Sequence, residues 1–203
     1  MIAKNGVNWE EWGFTVYGEC PEYKGNIRSY CCDKKSKNIT FTKPHRFWQR
    51  IVAKANGHYD DKNAVLCEEW KEYENYIKWH EQNYYEVEGE KMRLSYRIFD
   101  LKNHYISPQT CVFVPEKIAK AMSVYRVNNE SDFPNHMYKI RNDRYEVRFL
   151  IDGINKVKRF SDYELAFEYC NSMYKKMLSD LADKYYNKIP KSVYERMKNF
   201  ELR

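Results

Sequence analysis

Arg144-Tyr145-Glu146-Val147-Arg148-Phe149-Leu150-Ile151-Asp152-Gly153-Ile154-Asn155-Lys156-Val157-Lys158-Arg159-Phe160 is the stretch on which the reading of this 203-residue chain turns. Arg144 to Leu150 alternates, with Tyr145, Val147 and Phe149 on one side and Arg144, Glu146 and Arg148 on the other, the pattern of a half-buried strand. Asp152-Gly153 is a strong hairpin signal, so Ile154 to Phe160 is the next strand. Just upstream, Tyr138-Lys139-Ile140-Arg141 reads as a short strand turned by Asn142-Asp143. Downstream, Ser161 with Glu164 three residues later forms a capping box. The helix it opens is expected to run to about Tyr186 and to turn Leu165, Ala166, Tyr169, Met173 and Leu178 towards the sheet. Pro190-Lys191-Ser192 ends that helix, and a terminal helical turn or two follows. The expectation is a three-stranded antiparallel sheet packed on a helix.

Such a sheet has a covered face and an open one. Tyr145, Val147, Phe149 and Val157 are expected on the covered face. Arg144, Arg148, Lys156 and Lys158, with Lys139 or Arg141 from the first strand, are expected on the open face. A lattice of Lys and Arg on a rigid sheet can pair with phosphates, and the planar fork of Arg can read guanine edges. The alternative is that the outer face of a small sheet is polar simply because it is solvated, with Lys and Arg blunting its edges.

Further upstream the chain is organised differently. Phe47 to Ala55 reads as a helix, with Phe47, Trp48, Ile51 and Val52 along one stripe and Asn56-Gly57 as its stop. Cys67 to about Asn83 reads as a second helix, with Trp70, Tyr73, Tyr76, Ile77 and His80 on one face and Glu68, Lys71, Glu72, Glu74 and Lys78 elsewhere. Met92, Leu94, Tyr96 and Ile98 alternate with Arg93, Ser95 and Arg97, as in a half-buried strand. Cys111 to Val114 is apolar, and Pro115 is placed to open a helix over Glu116 to Met122. Val127 to Pro134 is polar and aperiodic and reads as a linker. Before residue 45 there are only short pieces: Trp9, Trp12, Phe14, Val16 and Tyr17 suggest a strand or an aromatic tuck, with Ile39 to Thr42 as its candidate partner.

Composition narrows the function classes. Residues 60–91 hold ten acidic and four basic residues, a balance of −6, whereas residues 137–160 hold seven basic and three acidic ones, a balance of +4. That asymmetry points to a partner with a charge preference at one end. Aromatic residues make up 17% of the chain, 19 of them tyrosines, which suit interfaces and small cores equally. There is no apolar run of transmembrane length and no secretory leader at Met1-Ile2-Ala3-Lys4, so an intracellular, membrane-free protein is expected. None of the six cysteines forms a C-x-x-C pair. Cys20, Cys31 and Cys32 are only a loose cluster, and Cys67 and Cys111 read as core thiols. No phosphate-binding loop, dinucleotide fingerprint or H-E-x-x-H motif occurs, so no cofactor, metal or catalytic residue is assigned.

Two stretches resemble known families. Tyr138 to Met173 resembles an AP2-like domain, through Tyr-Lys-Ile-Arg, Arg-Tyr-Glu-Val-Arg-Phe, the glycine hairpin, the strand ending at Phe160 and the helix opening Ser-Asp-Tyr-Glu-Leu-Ala-Phe. The family's usual glycine is replaced by Lys158. Cys67-Glu68-Glu69-Trp70, with Tyr105-Ile106-Ser107-Pro108-Gln109-Thr110-Cys111-Val112-Phe113-Val114-Pro115, resembles phage HNH-like proteins that carry AP2 domains, usually labelled homing endonucleases. The resemblance spans roughly residues 45 to 190. It implies an α+β chain: an HNH-like α/β segment over 46–126, a linker over 127–136, and an AP2-like domain over 137–203, preceded by an aromatic β-rich segment over 1–45. Where these relatives carry Leu-Asp-Lys-Asp-Ile-Leu, this chain has Leu94-Ser95-Tyr96-Arg97-Ile98-Phe99, so the HNH-like part is degenerate. Arg97 cannot ligate a divalent cation.

The resemblance therefore implies a DNA-binding protein derived from an HNH/AP2 endonuclease without cleavage activity, working in a host cytoplasm. Lys139, Arg141, Arg144, Arg148, Lys156 and Lys158 would contact double-stranded DNA. One alternative is an anti-defence protein that inhibits a host nucleic-acid-binding protein or nuclease, such as a CRISPR effector, through the acidic helix at Glu68, Glu69, Glu72 and Glu74. A second is an active metal-dependent endonuclease with Asp100 and His104 as rearranged ligands.

Overall fold

The computed structural model describes residues 30–33, 38–58, 61, 63–125, 133–141, 144–151 and 153–202. Trp9, Trp12, Phe14, Val16, Tyr17, Cys20 and most of the expected linker lie outside those residues. The chain is mixed α+β with small antiparallel sheets, and it divides into two compact units between Tyr84 and Tyr85.

In the first unit, strands β1 (Tyr30–Asp33) and β2 (Asn38–Phe41) form a two-stranded antiparallel ladder pairing Tyr30 with Phe41 and Asp33 with Asn38. The stretch at Ile39 therefore pairs with Tyr30–Asp33. Helix α1 (Lys43–Ala55) begins four residues before the expected start, because Pro44 sits in its first turn, where a missing N–H costs nothing. It ends at Asn56, and Gly57 follows with φ +75°, the left-handed residue that a helix C-terminus favours. The two-residue strand β3 (Val65–Leu66) comes next.

The second expected helix is in fact two pieces, a 3-10 turn (Glu68–Lys71) and helix α2 (Tyr73–Asn83), with Glu72 extended between them. Two side chains account for the break, one of them distant in sequence. The Glu69 and Trp70 carbonyls, which a continuous helix would offer to the N–H groups of Tyr73 and Glu74, accept instead from Asn75 Nδ2 at 3.0 Å and Trp48 Nε1 at 2.8 Å. Trp70, Tyr73, Tyr76, Ile77 and His80 are all buried, as the periodicity predicts. Trp48 and Tyr73 meet edge-on at 5.4 Å, and His45 lies against both.

In the second unit, β4 (Met92–Ser95) pairs antiparallel with β6 (Val112–Pro115), and Met92 stands opposite Pro115. The strand stops at Ser95, although Tyr96 and Ile98 remain buried beyond it. The chain then returns through the two-residue strand β5 (Tyr105–Ile106). After β6 comes α3 (Glu116–Ala121). Strands β7 (Met137–Lys139), β8 (Tyr145–Ile151) and β9 (Ile154–Phe160) make one antiparallel sheet in that order, followed by α4 (Tyr163–Lys184) and α5 (Lys191–Lys198).

Helix α4 is capped by Asp162, whose Oδ1 accepts from Leu165 N at 2.9 Å, and not by Ser161. Its buried stripe is Ala166, Cys170, Tyr174, Leu178 and Ala182, a strict four-residue repeat. Of the residues expected inward, Ala166 and Leu178 are buried, Tyr169 and Met173 are half-buried, and Leu165 is 57% exposed. The starting position explains the error: with Asp162 as cap, Leu165 falls in the open first turn and the smaller Ala166 meets the sheet.

One core runs through this unit, joining Ile98, Val114 and Ile118 to Val147, Phe149, Tyr174 and Met197. The second unit therefore takes in the end of the segment expected as HNH-like together with the whole of the segment expected as AP2-like. The last residues of the expected linker are packed rather than loose. Phe133 lies against Tyr145 and Tyr163, and the Asn135 carbonyl accepts from the buried Tyr174 hydroxyl at 2.9 Å. His136, at φ +76°, stacks on Phe149 at 4.5 Å.

Leu178→Ala is expected to cost about 3 kcal/mol in denaturant unfolding and Leu165→Ala less than about 0.5 kcal/mol, a direct check of which side of α4 is covered. The first unit has a pH signature of its own. Burial holds His45 and His80 down at about 4, with Lys43 adding to the effect at His80, against an ordinary 6.5. Between those values the unfolded chain binds protons that the folded unit refuses. Stability is therefore full above about 6.5 and falls as the pH drops towards 4. Every tryptophan precedes residue 85, so tryptophan fluorescence in a denaturant series at pH 7.5, 6 and 5 (roughly spanning the histidine window) should show the first unit's midpoint falling with each step.

Candidate nucleic-acid interface

Paired residues of an antiparallel ladder point to the same side of the sheet. The β8–β9 ladder pairs Tyr145 with Phe160, Val147 with Lys158 and Phe149 with Lys156. Tyr145, Val147 and Phe149 are buried, so Lys156 and Lys158 lie on the helix-covered side with them. The Lys158 ammonium lies over the Tyr169 ring of α4, 4.8 Å from its centroid, and 5.3 Å from that of the Phe160 ring. Lys156 and Lys158 were expected on the open face; the pairing puts them on the other. Val157, expected inward, stands opposite Arg148 on the open side and is 52% exposed.

The open face therefore has a different membership. Arg148 is on it, and Arg144 continues the same alternation one step before the strand. Tyr138 of β7 stands opposite Glu146, and Glu146 stands opposite Arg159. Lys139 is paired with Tyr145 and so belongs to the covered side at the β7 edge, while Arg141 is exposed in the turn after β7. Of the six basic residues expected to bind, the structure brings Arg144 and Arg148 together on the open face.

Sequence reasoning missed Arg159 and Glu146. Glu146 is only 2% exposed even though it lies on the open face. Arg159 Nε donates to its Oε2 at 2.7 Å, and Arg148 Nε donates to Oε1. These two arginines, Arg159 first, hold the carboxyl well below its ordinary range. Because each guanidinium is anchored through Nε, its two terminal nitrogens remain as outward donors, and the side chains stay 60% and 75% exposed. The Arg148 guanidinium also lies 5.1 Å from the Tyr138 ring. The result is a pair of forks set at defined angles by one buried carboxylate, able to donate two parallel hydrogen bonds each to phosphate oxygens or to a guanine edge. A signal for this was present in the sequence. A two-residue hairpin at 152–153 makes paired residue numbers sum to a constant, which places Arg159, not Lys158, across from Glu146.

The loop residues Arg97, Asp100, Asn103 and His104 are held by hydrogen bonds. Arg97 Nε donates to the Asn103 carbonyl at 2.9 Å, and its Nη2 lies 3.0 Å from His104 Nδ1. The Asn103 amide donates to the carbonyls of Tyr96 and Tyr105 at 2.6 and 2.7 Å, and its oxygen accepts from Tyr105 N. Asp100 Oδ1 accepts from Lys102 N in a local turn. Among the described residues, no group of three or more His, Cys, Asp or Glu side chains is placed to hold a metal ion.

The acidic residues expected on one helix are distributed differently. Glu68 and Glu69 are on the 3-10 turn, Glu72 is at the break and Glu74 is in the first turn of α2; all four are exposed, and Glu68 pairs with Lys71 at 2.7 Å. Cys67 and Cys111 are buried, and burial pushes the Cys67 thiol up. The described helices include none long and apolar enough to cross a membrane.

Comparison with protein-family models, with curated proteins and with solved structures finds no match to this chain. The Arg148–Glu146–Arg159 bridge is open to direct test. Among the slowly exchanging arginine Nε–H resonances of the folded protein in nitrogen-15 NMR, Glu146→Gln should return those of Arg148 and Arg159 to the fast-exchanging pool, while that of Arg97, bonded to the Asn103 carbonyl, and the amide spectrum of the core are preserved.

Proposed function

We propose that the chain binds double-stranded DNA through the open face of the β7–β9 sheet, with Arg148 and Arg159 as its principal donors and Arg144 beside them. The observation that carries this reading is the clamp itself. Both guanidinium groups are oriented by a carboxylate that is 2% exposed, and both side chains remain largely exposed on the sheet face opposite α4. A solvated polar face has no need to bury a carboxylate in order to aim two cations. A rigid two-fork surface suits a ligand with regularly spaced oxygens and acceptor edges, as the DNA backbone and major groove provide. The resemblance to HNH/AP2 proteins agrees with this reading, in which the chain descends from a phage-type endonuclease and keeps binding without cleavage. The Arg97–His104 contact supports the loss of cleavage, because a guanidinium at hydrogen-bond distance from the His104 imidazole opposes a second cation there.

A second reading rests on the acidic stretch. The exposure of Glu68, Glu69, Glu72 and Glu74 favours a basic protein partner, such as a host nuclease that the chain would block. Reversing these four charges would abolish capture of such a partner and leave DNA binding unchanged.

Affinity for duplex DNA should fall steeply with salt. Arg148→Ala with Arg159→Ala should weaken binding about tenfold or more and lower the slope of log affinity against log salt by roughly 2. Lys156→Ala with Lys158→Ala, on the covered side, should cost less than about threefold. Absence of duplex binding at about 50 mM salt, or the reverse ranking of the two double variants, would rule the reading out.

A further inference from the structure

Resting on the reading that the open face meets duplex DNA, we propose that the hairpin end of that face reads an A·T base pair. Asn155 takes adenine N6 and N7, and Leu150 and Val157 cover the neighbouring thymine methyl group.

The face divides in two along its strands. The register sets Leu150 opposite Asn155 and Arg148 opposite Val157, so Leu150, Asn155 and Val157 form one contiguous group on the open side, just beyond Arg148. Towards the other end lie Arg148, Glu146 and Arg159. One half is ionic, and the other holds one amide and two branched aliphatic side chains.

Those aliphatic side chains stand uncovered. Leu150 is 65% exposed and Val157 is 52% exposed. Neighbours across the ladder diagonal, they make a small apolar step flush with the arginine forks. Two such side chains fall far short of the roughly 800 Å² per partner that a stable protein interface buries, so a second copy of this chain is not the occupant they fit. Their size and position suit a single methyl group.

In the major groove an A·T pair presents adenine N7 as acceptor, N6 as donor, and the thymine O4 and C5-methyl. An Asn amide complements N6 and N7 with two hydrogen bonds, and an aliphatic side chain complements the methyl. Asn155 is exposed and stands in register to do the first while Leu150 and Val157 do the second. A G·C pair would set the cytosine amine against the aliphatic step and leave a donor buried without a partner, which disfavours it. The face would then discriminate at its apolar end and draw most of its salt-dependent affinity from its ionic end.

The test uses the full chain and a preferred duplex selected from a random pool. Each thymine is replaced singly by deoxyuridine, which keeps every hydrogen-bonding edge and removes only the methyl group. Binding should weaken about fourfold at one position or two adjacent ones, the effect of losing a single buried methyl. In Leu150→Ala/Val157→Ala that deoxyuridine effect should vanish, and Asn155→Ala should lose about tenfold together with the preference for A·T at the same position. Because all three side chains are exposed, binding to unrelated duplex at low salt should be unchanged in these variants, which separates loss of reading from loss of fold. Duplex binding without a deoxyuridine effect, or with one that survives in Leu150→Ala/Val157→Ala, overturns the A·T assignment and leaves DNA binding standing. Self-association that the same double variant abolishes, again without a deoxyuridine effect, overturns it in favour of a second copy. Absence of any duplex binding overturns both.

Discussion

Tyr145, Val147 and Phe149 are buried beneath α4, and because paired strands share a side at every step, that burial orients each residue of β7 and β9 as well. The four-residue stripe of α4 is complementary to it. Ala166 and Cys170 are small where the sheet comes near, and Tyr174 and Leu178 are large where the core deepens towards Phe200 and Met197. Burial pushes the Cys170 thiol up to about 12, the mark of a packing group rather than a nucleophile. With α4 on one side, the other side of the sheet is left as a rigid surface, and its chemistry is whatever the alternate positions happen to carry.

What those positions carry is an ionic arrangement in which the negative charge lies beneath the positive ones. A carboxylate on an open sheet would ordinarily be hydrated. Glu146 is instead 2% exposed and accepts from both arginines, so each guanidinium is held through its Nε before meeting a ligand. Such preorganisation lowers the entropic cost of binding, and it favours Arg over Lys because only the planar fork has donors left once one is engaged. Lys156 and Lys158 contribute differently: Lys158 sets its ammonium over the Phe160 and Tyr169 rings, and both blunt the edge strand β9.

The segment from Tyr96 to Tyr105 is equally organised, towards a different end. Asn103 closes the loop with three hydrogen bonds, and Arg97 draws the Asn103 carbonyl and His104 to itself. Ser95, the buried Tyr96 and Arg97 sit at the start of this loop, and the Arg97 guanidinium lies 5.5 Å from the Tyr96 ring.

Much of this was legible in the residues alone. The α+β character, the alternation of β8, the hairpin at Gly153, the aromatic stripe of α2 and the stop at Asn56-Gly57 are local properties, governed by periodicity and turn chemistry within a few residues. The side chosen by β9 was legible too, through the hairpin's pairing arithmetic, but an apolar Val157 invites an inward reading that composition alone cannot correct, since apolar residues are often exposed. Other features depended on partners distant in sequence. The break before α2 depends on Trp48 reaching the Trp70 carbonyl, and the packing of Asn135 and His136 depends on Tyr174 and Phe149. The burial of Glu146 depends on an arginine thirteen residues away across a turn. Local sequence therefore determined which elements form and what each face offers. Tertiary structure decided which face is covered, because only packing against α4 breaks the symmetry between the two sides of a strand.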